Sequence, residues 1–178
     1  MRLQFRAVVC ALAVLCVGGC RAPLQAPLPT VAQVDLSRYM GTWFEIAHLP
    51  NRFQADCVAD TQARYRLKGD EVEVLNRCRE ANGAIKQARG VAEVVEGSGN
   101  AKLRVSFFRP FYGDYWVLAL AVDYRWVLVG EPSREYAWVL SRSPVLEEAT
   151  LEAALSKAGA LGFDRGGFVR TPQRTPLD

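Results

Sequence analysis

The chain has 178 residues, with 22 Lys and Arg against 19 Asp and Glu and a single histidine, His48. Its formal charge of +3, or 20 basic against 19 acidic residues once Arg2 and Arg6 leave with residues 1–19, gives no electrostatic footprint for nucleic acid. No His, Cys and Asp cluster has ligand spacing, so neither a metal nor another cofactor is expected.

Residues 1–19 open with Arg2 and Arg6, continue as an apolar run from Ala7 to Val17 and end on Gly18-Gly19. A basic start, a short apolar core and small residues are the order of an export signal, and the run is short of the roughly 20 apolar residues that span a membrane. Val17-Gly18-Gly19-Cys20 resembles a bacterial lipobox, in which cleavage precedes a cysteine that becomes diacylated on sulfur. The resemblance makes Cys20 the lipidation site, and Arg21 in place of Asp points to the outer rather than the inner membrane. Residues 20–33, with the stretch RAPLQAPLPT, then form a Pro-rich tether. An oxidising periplasm follows for residues 34–178, where Cys57 and Cys78 remain and are expected to form one disulfide.

The segment VDLSRYM suits one helical turn capped by Asp35. Strand patterns follow at 42–49, 58–67, 71–78, 86–95, 102–109, 114–122, 125–131 and 136–142, separated by breaks such as KGDE, EANGA and EGSGNA. Short strands at regular spacing without helices between them predict an antiparallel sandwich or barrel. A tight turn at Lys68-Gly69 would pair Tyr65 with Val72, Ala63 with Val74, Thr61 with Asn76 and Ala59 with Cys78, leaving Cys57 diagonal to Cys78 on the same face. Asp60, Gln62, Arg64, Arg66, Glu71, Glu73 and Arg77 would occupy the opposite face, in water. After Arg142, Ser143 as cap, Pro144, Glu147, Glu148, Lys157 and a closing Gly159 predict one amphipathic helix, with Leu151, Ala154, Leu155 and Ala158 as its buried stripe.

The motif Gly41-Thr42-Trp43 within RYMGTWFEIAHLPNRF, the run VSFFRPFYGDYWVLAL, Asp123-Tyr124 in VDYRWVLVGEPSREY, and Arg142 in YAWVLSRSP resemble, in this order, the lipocalin family and its branch of bacterial outer-membrane lipoproteins related to apolipoprotein D. The resemblance covers roughly residues 34 to 170. It implies an all-β fold, an eight-stranded up-and-down barrel closed at one end, with a C-terminal helix packed outside. It also implies that Gly41 and Trp43 sit at the closed end with Arg142 across the indole, a structural role rather than a catalytic one. Asp123 belongs to a second family motif in which Val122 stands where Thr is usual.

A barrel of eight strands either fills with side chains or holds one small ligand. Alternation from Trp43 turns Glu45 and Ala47 inward and His48 outward, and small inward residues such as Ala63, Ala88 and Gly90 leave space. Tyr65, Phe107, Tyr115 and Trp138 supply an apolar and aromatic wall for a ligand, and Phe53 and Phe111-Tyr112 are rim candidates that could equally be packing or dimer contacts. Glu45, if buried, needs a partner, expected to be a Tyr or Arg. Each buried CH₂ is worth about 0.8 kcal/mol, which suits an acyl chain; the family resemblance implies a fatty acid such as palmitate, or a lysophospholipid with its head group at the open end. The expected protein is a lipid-anchored, non-enzymatic carrier or store for a single-chain lipid in the bacterial envelope, touching the membrane through its anchor, with a second copy as a candidate homodimer partner. A structural envelope lipoprotein, or a binder of a flat aromatic or tetrapyrrole ligand, is the alternative. An enzyme would need a nucleophile with a base; the single histidine, His48, is read as outward, and Cys57 or Cys78 could serve as a reactive thiol if unpaired.

Overall fold

The computed structural model describes residues 26–175 and Leu177, so the expected leader and Cys20 lie outside the described residues. Asp35 caps helix α1 (Leu36–Tyr39) by accepting the backbone N–H groups of Ser37 and Arg38. The segments rich in β-branched and aromatic residues become β1 (Gly41–His48), β2 (Cys57–Lys68), β3 (Glu71–Glu80), β4 (Ile85–Val94), β5 (Lys102–Phe108), β6 (Phe111–Leu120), β7 (Trp126–Gly130) and β8 (Ala137–Ser141). Neighbours in sequence pair antiparallel from β2 round to β8, β8 pairs β1, and β1 pairs β2. The sheet therefore closes on itself. Helix α2 (Glu148–Ala160), a 3₁₀ turn (Arg165–Gly167) and a two-residue strand β9 (Val169–Arg170) follow.

Two apolar clusters divide the molecule. Inside the barrel, Val34, Tyr39, Trp43, Tyr65, Val72, Val74, Ala92, Leu103, Val117, Val127, Val129 and Leu140 form the core. Outside it, Leu151, Ala154, Leu155 and Ala158 of α2 cover Ile46, Leu118, Leu128 and Val139. Helix α2 starts later than its sequence signals suggest: Ser143 accepts only the N–H of Val145, Glu147 stands at the cap without a side-chain bond, and Gly159 lies within the helix. The stop is Gly162, at φ +91°, with its N–H on Gly159 O and that of Phe163 on Ala158 O. That paired closure is available to glycine without strain.

The β2–β3 hairpin turns at Gly69-Asp70 rather than at Lys68-Gly69, with Gly69 at φ +61°, so Tyr65 faces Val74 and Ala63 faces Asn76. A two-residue displacement preserves faces, which is why the inward set survives. Towards its start β2 is bulged on both sides of Ala59, and Asp60 sits at φ +55°.

The face expected in water is only partly so. Asp60 and Gln62 are 0% and 2% exposed, because the C-terminal segment lies across them. Strand β1 pairs β2 only from Gly41 to Phe44, then pairs β9 at Ala47 and His48. The tail occupies the space where the two strands part. Thr171 donates its N–H to Ile46 O, Asp60 donates its N–H to Pro172 O, and Gln173 Nε2 bridges the carbonyls of Glu45 and Thr61.

A bulge between Glu45 and Ala47 corrects a second expectation. Ala47 pairs Val139 and is buried on the helix side, while His48 pairs Trp138 and turns back towards Glu45. Strict alternation failed because one extra residue reverses every side chain beyond it.

Candidate functional site

One end of the barrel is locked. The Arg142 guanidinium lies 3.9 Å from the centroid of Trp43, donating to Thr42 O at 2.8 Å and Arg38 O at 2.6 Å. Trp43, fully buried, donates its indole N–H to Tyr39 O. Gly41 stands at φ +95°, and a Cβ there would sit 3.3 Å from Arg142 Nη1. Asp123 holds its turn by accepting the N–H of Arg125, while the neighbouring Tyr124 hydroxyl accepts the N–H of Asp35 and its ring lies under Arg38. Helix α1 is thereby pinned across the strand ends.

Above this plug, three phenols meet. Tyr39 and Tyr115 hydroxyls are 2.7 Å apart, and Tyr65 donates to Tyr115 at 3.1 Å. Burial pushes Tyr65 up to about 12, and Tyr39 and Tyr115 well above the usual phenol range, so all three stay protonated at neutral pH. A cavity of about 20 Å³ lies beside them, walled by Leu36, Met40, Val72, Ala92, Leu103 and Val105. It has room for about one water molecule. The lower half of the barrel is therefore filled.

Towards the mouth the inward positions are less covered. Ala88 and Gly113, at inward positions of β4 and β6, are exposed, and Gly90, Tyr115 and Trp138 are half-buried. Small residues on that wall remove the side chains that would otherwise meet in the middle. Gly90 is required there: a Cβ would come within 2.6 Å of Ser106 O and 2.9 Å of the Phe107 ring. Phe107 thus crosses Gly90 and remains 47% exposed, a place at the chamber's edge rather than in its wall. Asn76, also inward, keeps its buried Oδ1 without a partner among the described residues, an acceptor available to a ligand hydroxyl.

Polar groups gather on the opposite side of the mouth. Glu45, 3% exposed, accepts from the Thr171 hydroxyl and, at 2.6 Å, from Gln54 Nε2, and lies 2.9 Å from His48 Nδ1. The Trp138 indole N–H donates to Gln54 Oε1. The carboxylate's partners are thus an amide, a hydroxyl and the histidine, not the Tyr or Arg expected. Both contacts of His48, to Glu45 and to Thr171, use the same Nδ1, so it bridges no nucleophile to a base. Phe53 is 59% exposed at the rim, its ring 5.6 Å from Tyr136. Phe108 and Phe111, stacked at 6.2 Å, are more exposed still on the β5–β6 hairpin.

Cys57 and Cys78 form a disulfide across the β2–β3 pair with Cα atoms 5.6 Å apart. Sequence reasoning missed Tyr39, Gln54, Asp60, Thr171 and Gln173. Tyr39 had a signal, four residues before Trp43 on a capped turn, whereas Thr171 and Gln173 reach the site only because the tail returns to β1.

This is a calyx: an antiparallel barrel plugged at one end, open at the other and flanked by one helix. The profile of the lipocalin-like domain matches residues 34–173, and the chain belongs to the lipocalin family. It is 39% identical over 155 residues to temperature-induced lipocalin-1 of Arabidopsis thaliana, covering 82% of this chain and 83% of that one. It is 35% identical over 172 residues to outer membrane lipoprotein Blc of Vibrio cholerae, covering 95% and 99%, and 37% identical over 169 residues to the Escherichia coli K12 protein of the same name, covering 93% and 95%. Among solved structures, insecticyanin of the tobacco hornworm aligns with a TM-score of 0.66 at 25% identity over 86% of this chain and 87% of its own. Lobster apocrustacyanin A1, at 15% identity and a TM-score of 0.64 over 84% of this chain and 92% of its own, shares the fold. Lipocalins are in general binding proteins for small hydrophobic molecules.

Proposed function

We propose that the chain is an envelope lipoprotein which loses residues 1–19, carries lipid on Cys20 and takes a single-chain lipid, such as a fatty acid or lysophospholipid, into its barrel. The observation that carries the ligand reading is the half-filled interior: exposed Ala88 and Gly113 above a floor of buried phenols, with Trp138 and Phe107 beside them. Contacts from Tyr65, Tyr115, Trp138, Phe107 and Phe53 would line the path from floor to rim. Relatives named outer membrane lipoproteins support the location.

The start of the described chain supports an orientation. Arg134, in the turn between β7 and β8 at the mouth end, donates to Ala26 O, and Leu28 is buried in the outer cluster. The chain from Ala26 then descends to α1 at the plug. From Cys20 to Ala26 a fully extended chain reaches at most about 20 Å. An anchor on Cys20 would therefore hold the open mouth, rather than the plug, beside the bilayer, and acyl chains could pass between membrane and chamber over a short distance.

Native mass spectrometry of protein purified without detergent should show a bound lipid mass, and lysophospholipid should displace a fluorescent acyl probe. No bound mass and no displacement would remove the ligand reading. Cys20→Ser should abolish membrane partitioning while leaving probe binding intact; a Cys20→Ser protein that still matured and sedimented with membranes would remove the anchor.

A further inference from the structure

The floor of the chamber contains a hydrogen-bond donor that the protein does not use. Tyr39, Tyr65 and Tyr115 bring one hydroxyl proton each, and two hydrogen bonds join them. Tyr65 donates to Tyr115. If Tyr115 in turn donates to Tyr39, the Tyr39 proton is left over; if Tyr39 donates to Tyr115, the Tyr115 proton is. Either direction leaves one O–H without an acceptor.

The described protein groups around them offer none. Among the described residues the three oxygens have only one another as hydrogen-bond partners, and the adjoining cavity is walled by the apolar side chains of Leu36, Met40, Val72, Ala92, Leu103 and Val105. Tyr39 and Tyr65 are 3% and 8% exposed, so bulk water does not serve them. A buried donor without a partner is costly, and native structures rarely keep one without a use. Tyr115, half-buried, is the least covered of the three.

We propose that this leftover phenolic proton selects ligands: the chamber favours a hydrophobic molecule whose innermost end carries a neutral carbonyl oxygen, as a ketone, aldehyde or ester, over one that ends in a methyl group. The inference rests on the reading that the barrel takes up a hydrophobic ligand. A neutral carbonyl fits better than an ionised carboxylate, which would have to leave water for apolar walls. Arg142, the neighbouring cation, is already committed to Thr42 O, Arg38 O and the Trp43 face. The preference acts at the deep end of the ligand, so it is compatible with a carboxyl or phosphate head at the mouth.

The test compares hexadecanoic acid with 15-oxohexadecanoic acid, which share length and head group and differ by one ketone next to the terminal methyl. Each displaces a fluorescent acyl probe from the mature protein. The keto acid should bind about fivefold more tightly, the factor of one net hydrogen bond. Tyr65→Phe should retain the preference, since the Tyr39–Tyr115 pair still leaves one proton over. The triple variant Tyr39→Phe, Tyr65→Phe, Tyr115→Phe should bind both acids alike. Equal displacement by the two acids in the unmodified protein overturns the proposal, because a buried water then serves the proton; that comparison decides even where the triple variant does not fold. Failure of both acids to displace the probe removes instead the ligand reading on which the proposal rests.

Discussion

Asp60→Asn asks whether the C-terminal tail is part of the barrel wall. The Asp60 carboxylate is fully buried and takes three donors: Arg79 Nε at 2.7 Å, Arg174 N at 2.6 Å and Thr175 N at 2.9 Å. Asparagine keeps one oxygen for the two backbone N–H groups but turns an amide N–H towards Arg79, donor against donor. A hydrogen bond to a charged group contributes about 1.5–3 kcal/mol. Arg79 is 27% exposed and partly compensated by water, so the loss should be about 2 kcal/mol. With a urea slope of about 2 kcal/mol per molar, the unfolding midpoint should fall by about 1 M. If the loss is confined to the tail, the amides of Asp60, Arg174 and Thr175 should exchange about 30-fold faster while those of β6 and β7 keep their protection. Acid should act in the same direction. Burial raises the Asp60 carboxyl, but Arg79 and the two backbone donors outweigh it and hold the carboxyl below its ordinary value of 3.8. Its contribution is therefore present above about pH 4 and lost as pH falls through the lower folded value. An unchanged midpoint together with unchanged exchange at 60, 174 and 175 would refute the reasoning.

Three further outcomes follow from the geometry. Arg142→Ala should destabilise by about 2 kcal/mol through loss of the Trp43 face and two carbonyl bonds, and red-shift tryptophan emission; Arg142→Lys should recover less than half, since an ammonium cannot reproduce the planar fork. Replacing Cys57 and Cys78 by Ala should cost about 3 kcal/mol, the loop entropy of a separation of 21 residues, read as a lower urea midpoint without loss of the native circular dichroism spectrum. Absorbance at 295 nm should show Tyr39, Tyr65 and Tyr115 resisting ionisation through pH 10–11. Because Tyr65 is raised from 10 to about 12, its stabilising share is complete below pH 10 and disappears as pH rises towards 12, so the last phenols should titrate together with unfolding.

Where the structure departs from simple pattern reading, the cause is usually a bulge or a distant return of the chain. Period-two alternation located the strands and kept the inward set of β2 and β3 through a two-residue change of register, because that change preserves faces. It failed at Ala47 and His48, where one extra residue in β1 exchanges inside for outside. Phe107 illustrates a subtler limit: its face was read from alternation, but whether its ring lines a wall or lies at the edge depends on the crossing of β5 over Gly90.

Apolar alternation and turn residues determined short antiparallel strands of a sandwich or barrel followed by one amphipathic helix, because periodicity and local turn chemistry act over a few residues and are written in the chain; the closed barrel was legible only through the family resemblance carried by Gly41-Thr42-Trp43, Asp123-Tyr124 and Arg142. The tertiary structure alone decided that a carboxylate at 45 would be held by residues 48, 54 and 171, that a tail would seal the gap between β1 and β2, and that three phenols from α1, β2 and β6 would share two hydrogen bonds and leave one proton over. Those meetings join groups up to 128 positions apart. They depend on strand register and bulge placement, which sequence periodicity does not encode.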